Sequence, residues 1–430
     1  QGLLDRATYE PAVRKGWAGL LSCVNPDGRL THVQPIGADP KKFDPHHTDV
    51  YGVGAFLLAG TEVYRLAIQD ATRHADLTVR NPVDARRGPE TIELPWRDVV
   101  QHLGGNPGEG VAVLDAATSR ILDRQILDEN GDGIPDQLLF QSEFLPGETR
   151  TFRLLVGLSP EDQPAPALST HGRFVPERKD DYAWENDRIA FRIYGPALQK
   201  TPGEVSGSGV DVWLKSTRRL VVDEWYPGGD YHTDHGEGVD AYKVGTTRGC
   251  GGLAIRVGGE LGISANFASW RRLATGPIRT LAEFEYAPWT AGDRQVREVK
   301  RVALDRGSNL NRIESSLMAE PAGDLAVAVG LANRPGNGAV QVVEKEGWLT
   351  YTEPEAPPHG RTHTAVVFPG GLTMASEPTH WLATRVIKPG EPLVYYAGAG
   401  WDRYDFPTPE AWQAYVQLFA WNVAHPLEVQ

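Results

Sequence analysis

The second half of the chain is a series of strand-like segments, and this feature most constrains the fold. Beyond residue 171, runs such as RIAFRIYGPAL, IRTLAEFEYAPW and VREVKRVALD are rich in β-branched and aromatic residues, and turn residues separate them. Strands this long and numerous form large antiparallel sheets better than a small barrel. Residues 171–430 are therefore predicted to form a large β-sandwich, and the protein is predicted to be mainly β.

The first 170 residues carry three other patterns. Residues 1–70 have apolar residues at helical spacing, and the stretch VYGVGAFLLAGTEVYRLAI is apolar on nearly all sides, which predicts helices that need further partners. Residues 71–158 hold short strand-like runs that predict a small β-sandwich. Residues 159–170 are rich in Pro and polar residues and predict a linker. Near the end, Thr408 as N-cap followed by Pro409 predicts one more helix.

Composition and charge exclude several classes of partner. The chain has 430 residues, 40% of them hydrophobic and 23% charged, as in globular proteins. A net charge of −13 argues against nucleic acid and anionic membranes as partners. No apolar run is long enough for a transmembrane helix, and no signal peptide is evident. Cys23 and Cys250 provide no disulfide framework.

The candidate site is the stretch Tyr231–Gly252, which reads YHTDHGEGVDAYKVGTTRGCGG. Histidines, carboxylates, tyrosines, a lysine and an arginine alternate there with glycines, as in a shaped loop. Loops held on a rigid β scaffold often carry catalytic groups. Each residue also has a structural interpretation, such as capping a turn or packing in the core. Cys250 between glycines is typical of a small buried residue.

Two family resemblances divide the chain. GWAGLLSCVNPDGRLTHVQPIGADP and DVYGVGAFLLAGTEVYRL, within about the first 66 residues, resemble the last helices of the glycoside hydrolase family 105 (α/α)-barrel. That family removes unsaturated uronic acid residues from oligosaccharides. Its catalytic carboxylates lie on earlier helices, so no hydrolase residue is carried over. The resemblance implies a helical remnant of a barrel, and a chain that is the C-terminal part of a longer protein with the barrel as partner.

The remaining residues, from about 72 to 430, resemble the domain of unknown function 4861. The segments that carry this resemblance include ENDRIAFRIYGPALQK, the Tyr231–Gly252 stretch, ASWRRLATGPIRTLAEFEY and YYAGAGWDRYDFPTPEAW. The resemblance implies a galactose-mutarotase-like β-supersandwich. It also implies a carbohydrate-active protein of uronic-acid polysaccharide breakdown, with a periplasmic or extracellular location favoured over a cytoplasmic one.

β-Elimination from a uronic acid is the chemistry that this context favours. Elimination needs a base for the C5 proton, an acid for the departing C4 oxygen and a cation that neutralises the carboxylate. The candidate stretch offers His232 or His235 as the base, Tyr242 as the acid, and Arg248 or Lys243 as the clamp. The sequence therefore predicts a lyase or dehydratase that acts on a uronate-containing oligosaccharide.

Further candidates for substrate binding come from other segments. They are charged or aromatic residues that suit a sugar cleft, although each also suits core packing or a solvated strand face. These residues are Trp184, Glu185, Arg188, Lys215, Trp225, Lys243, Trp401 and Asp402. Elimination by these residues is predicted to require no cofactor. Zinc or manganese binding is a less favoured alternative, because imidazole and carboxylate are usual ligands of these metals and the loop contains His232, Asp234, His235 and Glu237.

A calcium loop is a further possibility between two strands of the small sandwich. Asp128, Asn130, Asp132 and Asp136 place oxygen ligands at alternate positions, as at the start of a calcium loop, but Leu139 stands where a bidentate Glu is expected. The same side chains suit a hairpin turn in which they accept hydrogen bonds from their own backbone, and the sequence favours that interpretation.

Two functions of other classes compete with elimination. In the first, residues 72–430 are a non-catalytic carbohydrate-binding or structural partner of a family 105 hydrolase. In the second, they are an epimerase-like isomerase. Convergence of His232, His235, Tyr242 and Arg248 on one cleft would favour catalysis, and their separation would favour binding.

Overall fold

The computed structural model describes residues 5–37, 44–69, 73–158, 166–202 and 207–430. The chain divides into two compact units, each built from several segments. Unit 1 consists of Gln1–Leu77, Val100–Leu122 and Thr151–Pro164, and unit 2 of Thr78–Val99, Asp123–Arg150 and Ala165–Gln430. Most of the predicted linker, residues 159–165, lies outside the described residues.

Two helices dominate unit 1. The helix α1 (Arg6–Leu21) begins after Asp5, whose carboxylate accepts a hydrogen bond from the Thr8 backbone N–H at 3.0 Å. The helix α2 (Val50–Gln69) packs on α1, where the rings of Trp17 and Phe56 stack with centroids 4.9 Å apart. The predicted N-terminal helical segment is therefore confirmed.

The other α-helices of the described chain are α3 (Trp96–His102), α4 (Val222–Gly228) and α5 (Pro409–Ala424).

Twenty-six strands follow one another along the described chain. Those before residue 166 are β1 (Arg73–Arg80), β2 (Arg87–Pro95), β3 (Ala112–Asp115), β4 (Arg120–Leu122), β5 (Arg124–Leu127), β6 (Gln137–Phe144) and β7 (Thr149–Val156). Those up to residue 262 are β8 (Thr170–Val175), β9 (Asp181–Asn186), β10 (Ile189–Ile193), β11 (Val210–Lys215), β12 (Gly238–Val239), β13 (Cys250–Val257) and β14 (Glu260–Gly262).

The strands after residue 262 include the longest ones. They are β15 (Ser269–Ala274), β16 (Arg279–Ala291), β17 (Arg294–Asp305), β18 (Leu310–Glu320), β19 (Leu325–Ala332), β20 (Ala339–Val343), β21 (Trp348–Thr352), β22 (Thr362–Val367), β23 (Thr373–Glu377), β24 (His380–Ile387), β25 (Leu393–Trp401) and β26 (Glu428–Val429).

The region 71–158, predicted as one small sandwich, is divided between the two units. In unit 1, β3 pairs with β4 and β7. In unit 2, β6 pairs with β2 and β5. There Leu127 and Leu139 pack against Ile278, which precedes β16. Strands this short cannot bury their apolar side chains alone, so β5 and β6 share a core with the later strands.

Three antiparallel sheets build most of unit 2. We call β12-β11-β10-β9-β8 the site sheet, β14-β13-β19-β24-β23 the middle sheet, and β15-β16-β17-β18-β25-β22-β21-β20 the large sheet. All three contribute to one hydrophobic core, represented by Phe191, Leu253 and Ile313. Face-to-face packing of sheets over a shared core is a sandwich. The mainly-β class is thus confirmed, while the specific likeness to galactose mutarotase domains stays a prediction.

The helix α5 covers the outer face of the large sheet. Its N-terminus is the predicted one: the Thr408 hydroxyl accepts from the Ala411 N–H at 3.2 Å, and Pro409 opens the helix. Trp412 is fully buried against the sheet and donates from Nε1 to the Thr364 carbonyl at 3.1 Å. This contact fixes α5 on β22.

Replacing Trp412 with Ala is expected to destabilise unit 2 by about 3–5 kcal/mol, because it leaves a large cavity and an unpaired carbonyl. Urea unfolding of the variant measures this. The matched control is Trp421→Ala on the same helix, where the side chain is 47% exposed and the expected change is below about 1 kcal/mol. Equal losses in the two variants would contradict this role of Trp412.

Candidate functional site

The outer face of the site sheet carries the candidate site. Side chains alternate along a strand, and Val210, Val212 and Leu214 of β11 point to the core. Asp211, Trp213 and Lys215 therefore point outward. The same alternation places Arg192 of β10 opposite Asp211, with Asp181 at the end of the neighbouring strand β9. The helix α4 and the loop that follows it cover this face.

Arg192 is the centre of a buried ionic network. Its Nη2 lies 2.9 Å from Asp240 Oδ2 and also contacts Asp211 Oδ2, while its Nε lies 3.0 Å from Asp211 Oδ2. Asp181 Oδ2 is 3.9 Å from Nε, and the Tyr194 hydroxyl donates to Asp211 at 3.2 Å. Arg192 and the three aspartates are all buried. Buried charges persist only when they are paired in this way.

Burial shifts the proton affinities of this network. It raises the pKa of the Asp240 carboxyl well above its usual range, and the nearby charge of Asp211 adds to the effect while Arg192 opposes it. Burial also raises the pKa of Asp181 to about 6, against the lowering effect of Arg192. Shifts of this kind, caused by burial and specific charged neighbours, are typical of functional sites.

His232 connects the network to the surface. Its Nδ1 lies 2.9 Å from the Asp240 carbonyl oxygen and 3.6 Å from Asp240 Oδ2, and its side chain is 65% exposed. A carbonyl oxygen only accepts hydrogen bonds, so Nδ1 carries the proton and donates. The other nitrogen, Nε2, then holds a free lone pair. An exposed imidazole fixed in this tautomer is arranged as a general base.

Arg178 and Tyr231 lie beside this histidine. The rings of Tyr231 and His232 have centroids 4.6 Å apart, and the Tyr231 hydroxyl interacts with the Arg178 guanidinium. Arg178 Nη1 is 3.6 Å from Asp181 Oδ2, and the arginine side chain remains 25% exposed. A base, a hydroxyl and a cation therefore meet at one place on the outer face of the site sheet.

Aromatic rings support Tyr231 from below. Trp213 stacks on Tyr231 with centroids 5.0 Å apart and on Trp225 of α4 at 5.5 Å. A cavity of about 240 Å³ opens next to these rings, lined by Trp225, Tyr231, His235 and the carboxylates Glu224, Asp230 and Glu237. Trp225, predicted to bind substrate, is half-exposed at this cavity, and its role stays a prediction.

The structure does not bring the four predicted catalytic residues together. His235 is 68% exposed and its Nε2 lies 3.3 Å from Asp230 Oδ2, on the rim of that cavity. Tyr242 lies in the core under Arg334, whose guanidinium is 5.2 Å from the ring centroid. Its hydroxyl is buried, so the role of acid predicted for Tyr242 is wrong in this geometry.

Arg248 is also a core residue, which corrects its predicted role as carboxylate clamp. Its Nη1 donates to the Ser208 hydroxyl at 3.0 Å, and its backbone N–H donates to His380 Nε2 at 3.0 Å. Burial lowers the pKa of the guanidinium to about 10. Lys243, the alternative clamp, is exposed, and its carbonyl oxygen accepts from Arg334.

At the other end of the site sheet, Glu185 and Lys215 form a buried structural pair. Lys215 Nζ lies 2.7 Å from Glu185 Oε2, and the same carboxylate accepts hydrogen bonds from the N–H groups of Val221 and Val222 at the start of α4. Both side chains are fully buried and unavailable to a substrate. Trp184 packs in the core and donates to Asn311 at 2.7 Å. Substrate binding by these three residues is therefore ruled out.

The remaining substrate-binding candidates lie in a different region from His232. Arg188 Nη1 is paired with Asp405 at 3.2 Å. Trp401 is buried and donates from Nε1 to the His359 carbonyl at 2.7 Å, which removes it as a stacking platform. Asp402 beside it is half-buried.

The calcium-like loop uses its oxygens on its own backbone. Asp128 accepts from the N–H groups of Gly131 and Gly133 at 2.6 and 2.8 Å. Asp136 accepts from the Glu129 N–H at 2.7 Å, and Asn130 and Asp132 each accept from the residue two positions on. This is the predicted turn chemistry. Calcium binding there stays a prediction. Across the described parts of the chain, no three His, Cys, Asp or Glu side chains are placed to hold a metal ion.

Sequence reasoning indicated the loop but not the residues beneath it. The residues that sequence reasoning did not indicate are Arg178, Asp181, Arg192, Asp211 and Trp213. Three of these, Asp181, Arg192 and Asp211, are charged residues in strands with several apolar side chains. A charged residue within such a strand, on the face opposite the apolar set, was the available signal.

The described residues contain no helix with both the length and the apolar character needed to cross a bilayer.

Comparisons with known proteins fall into two parts along the chain. The family model described as "Domain of unknown function (DUF4861)" matches residues 79–429, and that of "Glycosyl Hydrolase Family 88" matches residues 1–67. The chain is 37% identical over 392 residues to "Uncharacterized protein P7" of Formosa agariphila, covering 87% of this chain and 97% of that protein.

Two enzymes are similar to the first residues only. An unsaturated 3S-rhamnoglycuronyl hydrolase of Formosa agariphila is 51% identical over 65 residues, and one of Alteromonas sp. is 36% identical over 62 residues. These matches cover 15% and 14% of this chain, and 17% and 15% of the hydrolases. They bear out the predicted resemblance to the end of a uronyl hydrolase barrel.

Among solved structures, two proteins from Enterococcus faecalis are similar over 88% of this chain. An α-mannosidase aligns with a TM-score of 0.45 and 11% identity, and a glycosyl hydrolase family 38 protein with 0.47 and 10%. The chain spans about half of each, 48% and 50%.

The raised pKa of Asp181 predicts a change in stability with pH. Its ordinary value is 3.8 and its folded value about 6, so folding favours the protonated carboxyl. This contribution is full below pH 4 and is lost as the pH rises to about 6, at a cost of up to about 3 kcal/mol. In Asp181→Asn the loss is expected to disappear. Urea unfolding of both proteins at pH 4, 5, 6 and 7 tests this, and parallel curves would contradict it.

Proposed function

The chain belongs to the family described as "Domain of unknown function (DUF4861)", and we propose that it catalyses β-elimination on a uronic-acid-containing oligosaccharide. His232, held by Asp240, would be the base. The proposal rests on one observation above the others: the Nδ1–H of His232 donates to the Asp240 carbonyl, which leaves Nε2 free at an exposed position. Tyr231 lies next to this imidazole, and its hydroxyl interacts with Arg178.

The substrate class follows from the surroundings of His232 and from the relatives. The Arg178 side chain is 25% exposed, and a guanidinium suits a carboxylate. The curated relatives of the first residues are named unsaturated 3S-rhamnoglycuronyl hydrolases. An unsaturated uronyl group is the product that elimination from a uronate creates. An enzyme that makes such groups and one that removes them act in successive steps.

Each residue has one role in the proposed reaction. His232 Nε2 takes the C5 proton of the uronate, and the electron pair of that C–H bond forms the C4=C5 double bond. The C4–O bond breaks, and the departing oxygen takes a proton from the Tyr231 hydroxyl. Arg178 neutralises the carboxylate, which makes the C5 proton more acidic. If the departing oxygen is a hydroxyl, water is lost. If it is glycosidic, the chain is cleaved.

The network beneath the site would keep these groups in place. Asp240 orients the imidazole through its backbone carbonyl, and Arg192 fixes Asp240 from below. Trp213 supports the Tyr231 ring. Positioning groups of this kind hold a base within hydrogen-bond reach of the proton that it abstracts.

A non-catalytic carbohydrate-binding domain is the second candidate. Two observations favour it: Tyr242 and Arg248 lie apart from His232 and His235, and an aromatic-lined cavity of about 240 Å³ opens next to Tyr231. The two functions differ in product. Elimination creates a double bond conjugated with the carboxylate, which absorbs in the ultraviolet, whereas binding creates none. An epimerase would exchange the C5 proton with solvent deuterium without such absorbance.

His232→Ala is expected to lower the rate of elimination by roughly 10²–10⁴-fold, because the base is lost. Ultraviolet absorbance during incubation with a panel of uronic-acid oligosaccharides measures the rate. His235→Ala is the matched control, since His235 is similarly exposed but lies away from Asp240. Because His235 lines the neighbouring cavity, KM can rise in this variant, but kcat is expected to be retained. No absorbance with the unaltered protein across the panel, or an equal loss in both variants, would overturn the proposal.

Tyr231→Phe is expected to lower kcat by at least about 100-fold with little change in KM. The ring and its stacking on Trp213 remain, while the proton donor is lost. Tyr226→Phe serves as the control, because the Tyr226 hydroxyl is buried and has no hydrogen-bond partner among the described residues. Full activity of Tyr231→Phe would remove Tyr231 as the acid and leave the role of His232 to be judged separately.

A further inference from the structure

We propose that unit 2 has a second saccharide site, which binds an uncharged sugar in a cavity under α5. The cavity measures about 410 Å³ and lies on the outer face of the large sheet. Small-molecule pockets in proteins usually measure roughly 300–1,000 Å³. None of its lining residues lies in the site around His232.

Aromatic and apolar side chains form one wall. Tyr396 of β25 and Phe419 of α5 meet edge to face with centroids 5.1 Å apart, and Leu418, which is partly exposed, extends this surface. A pyranose ring presents C–H groups on its faces, and an aromatic ring with a polar end suits such a surface. The wall explains why a sugar would enter the cavity, and the opposite side supplies the hydrogen bonds.

Polar groups form the opposite side. Arg279 pairs with Asp305 at 2.6 and 2.8 Å and with Glu93 at 2.6 Å, and all three residues line the cavity. The Tyr396 hydroxyl lies near this group and near Arg312, but makes no hydrogen bond with any described residue. Sugar hydroxyls both donate and accept, and therefore suit guanidinium, carboxylate and phenol groups placed side by side.

The charges of the cavity favour a neutral ligand over an anionic one. Each lining arginine is already paired: Arg279 as above, Arg306 with Asp123 at 2.6 Å, and Arg312 with Glu314 at 2.9 Å. The remaining carboxylate, Glu90, pairs with Arg87. The lining carries three carboxylates and three guanidinium groups, so its charges balance. A uronate or a phosphate would compete with carboxylates that already pair with these arginines. A neutral sugar carries no such penalty.

The site does not depend on the proposed elimination chemistry. It would hold a neutral part of a polysaccharide while the site around His232 acts on a uronate, or on another sugar if elimination is wrong. Two sites on one domain raise the effective concentration of a long substrate at each site.

Titration calorimetry with cellobiose, lactose and glucuronic acid tests the site in the 430-residue chain. A neutral disaccharide is expected to bind at millimolar concentration and glucuronic acid to bind at least about tenfold more weakly at this site. Arg312→Gln is expected to weaken disaccharide binding about tenfold, because a hydrogen bond to a charged group is lost. Leu418→Trp is expected to abolish binding by filling the cavity.

Two variants outside the cavity serve as controls. Arg297→Gln removes an exposed arginine of the same large sheet, and Trp421→Ala removes an exposed aromatic of the same helix. Both are expected to bind like the unaltered protein. His232→Ala is also expected to bind the disaccharide normally, which separates this site from the proposed catalytic one. Absence of disaccharide binding, disaccharide binding that survives Leu418→Trp, or tighter binding of glucuronic acid that Leu418→Trp abolishes would overturn the proposal.

Discussion

A buried cation holds the candidate site together. Arg192 lies on an outer strand face that α4 and its loop have closed, so its charge has no access to water and needs the carboxylates around it. Asp211 comes from the neighbouring strand and Asp240 from the end of the loop. Because one guanidinium connects strand and loop, the loop has a fixed position on the sheet, and His232, eight residues before Asp240, is fixed with it.

More of the fold than of the candidate site could be predicted from the sequence. Long strand-like runs and the Thr408–Pro409 pair gave the sheets and the last helix, because these patterns depend on local chemistry. The division of residues 71–158 could not be predicted, since it depends on which strands share a core. The loop Tyr231–Gly252 was correctly singled out as polar. Its inner part, with Tyr242 and Arg248, turns into the core, and composition alone does not indicate which residues of a glycine-rich stretch are buried.

The missed residues illustrate a related limit. Arg178 and Asp181 precede the loop by about fifty positions, and only the pairing of β9, β10 and β11 places them beneath it. Register between strands is a long-range property, set by the shared core and not by any one segment. The helix α4 was missed for another reason: it is seven residues long and contains Pro227, so its sequence resembles a turn.

The glycines of the loop determine its backbone path, and its exposed side chains do not. Gly229, Gly236 and Gly238 have φ angles of 71°, 97° and 130°, which other residues rarely adopt, and a Cβ on Gly238 would lie 2.1 Å from the Leu214 carbonyl oxygen. The backbone path is therefore set by glycine and by the sheet below. The exposed side chains between these glycines, such as Thr233 and His235, contribute little to the stability of the fold. Substitutions at these positions can therefore change what the rim contacts, while the buried ionic network stays intact.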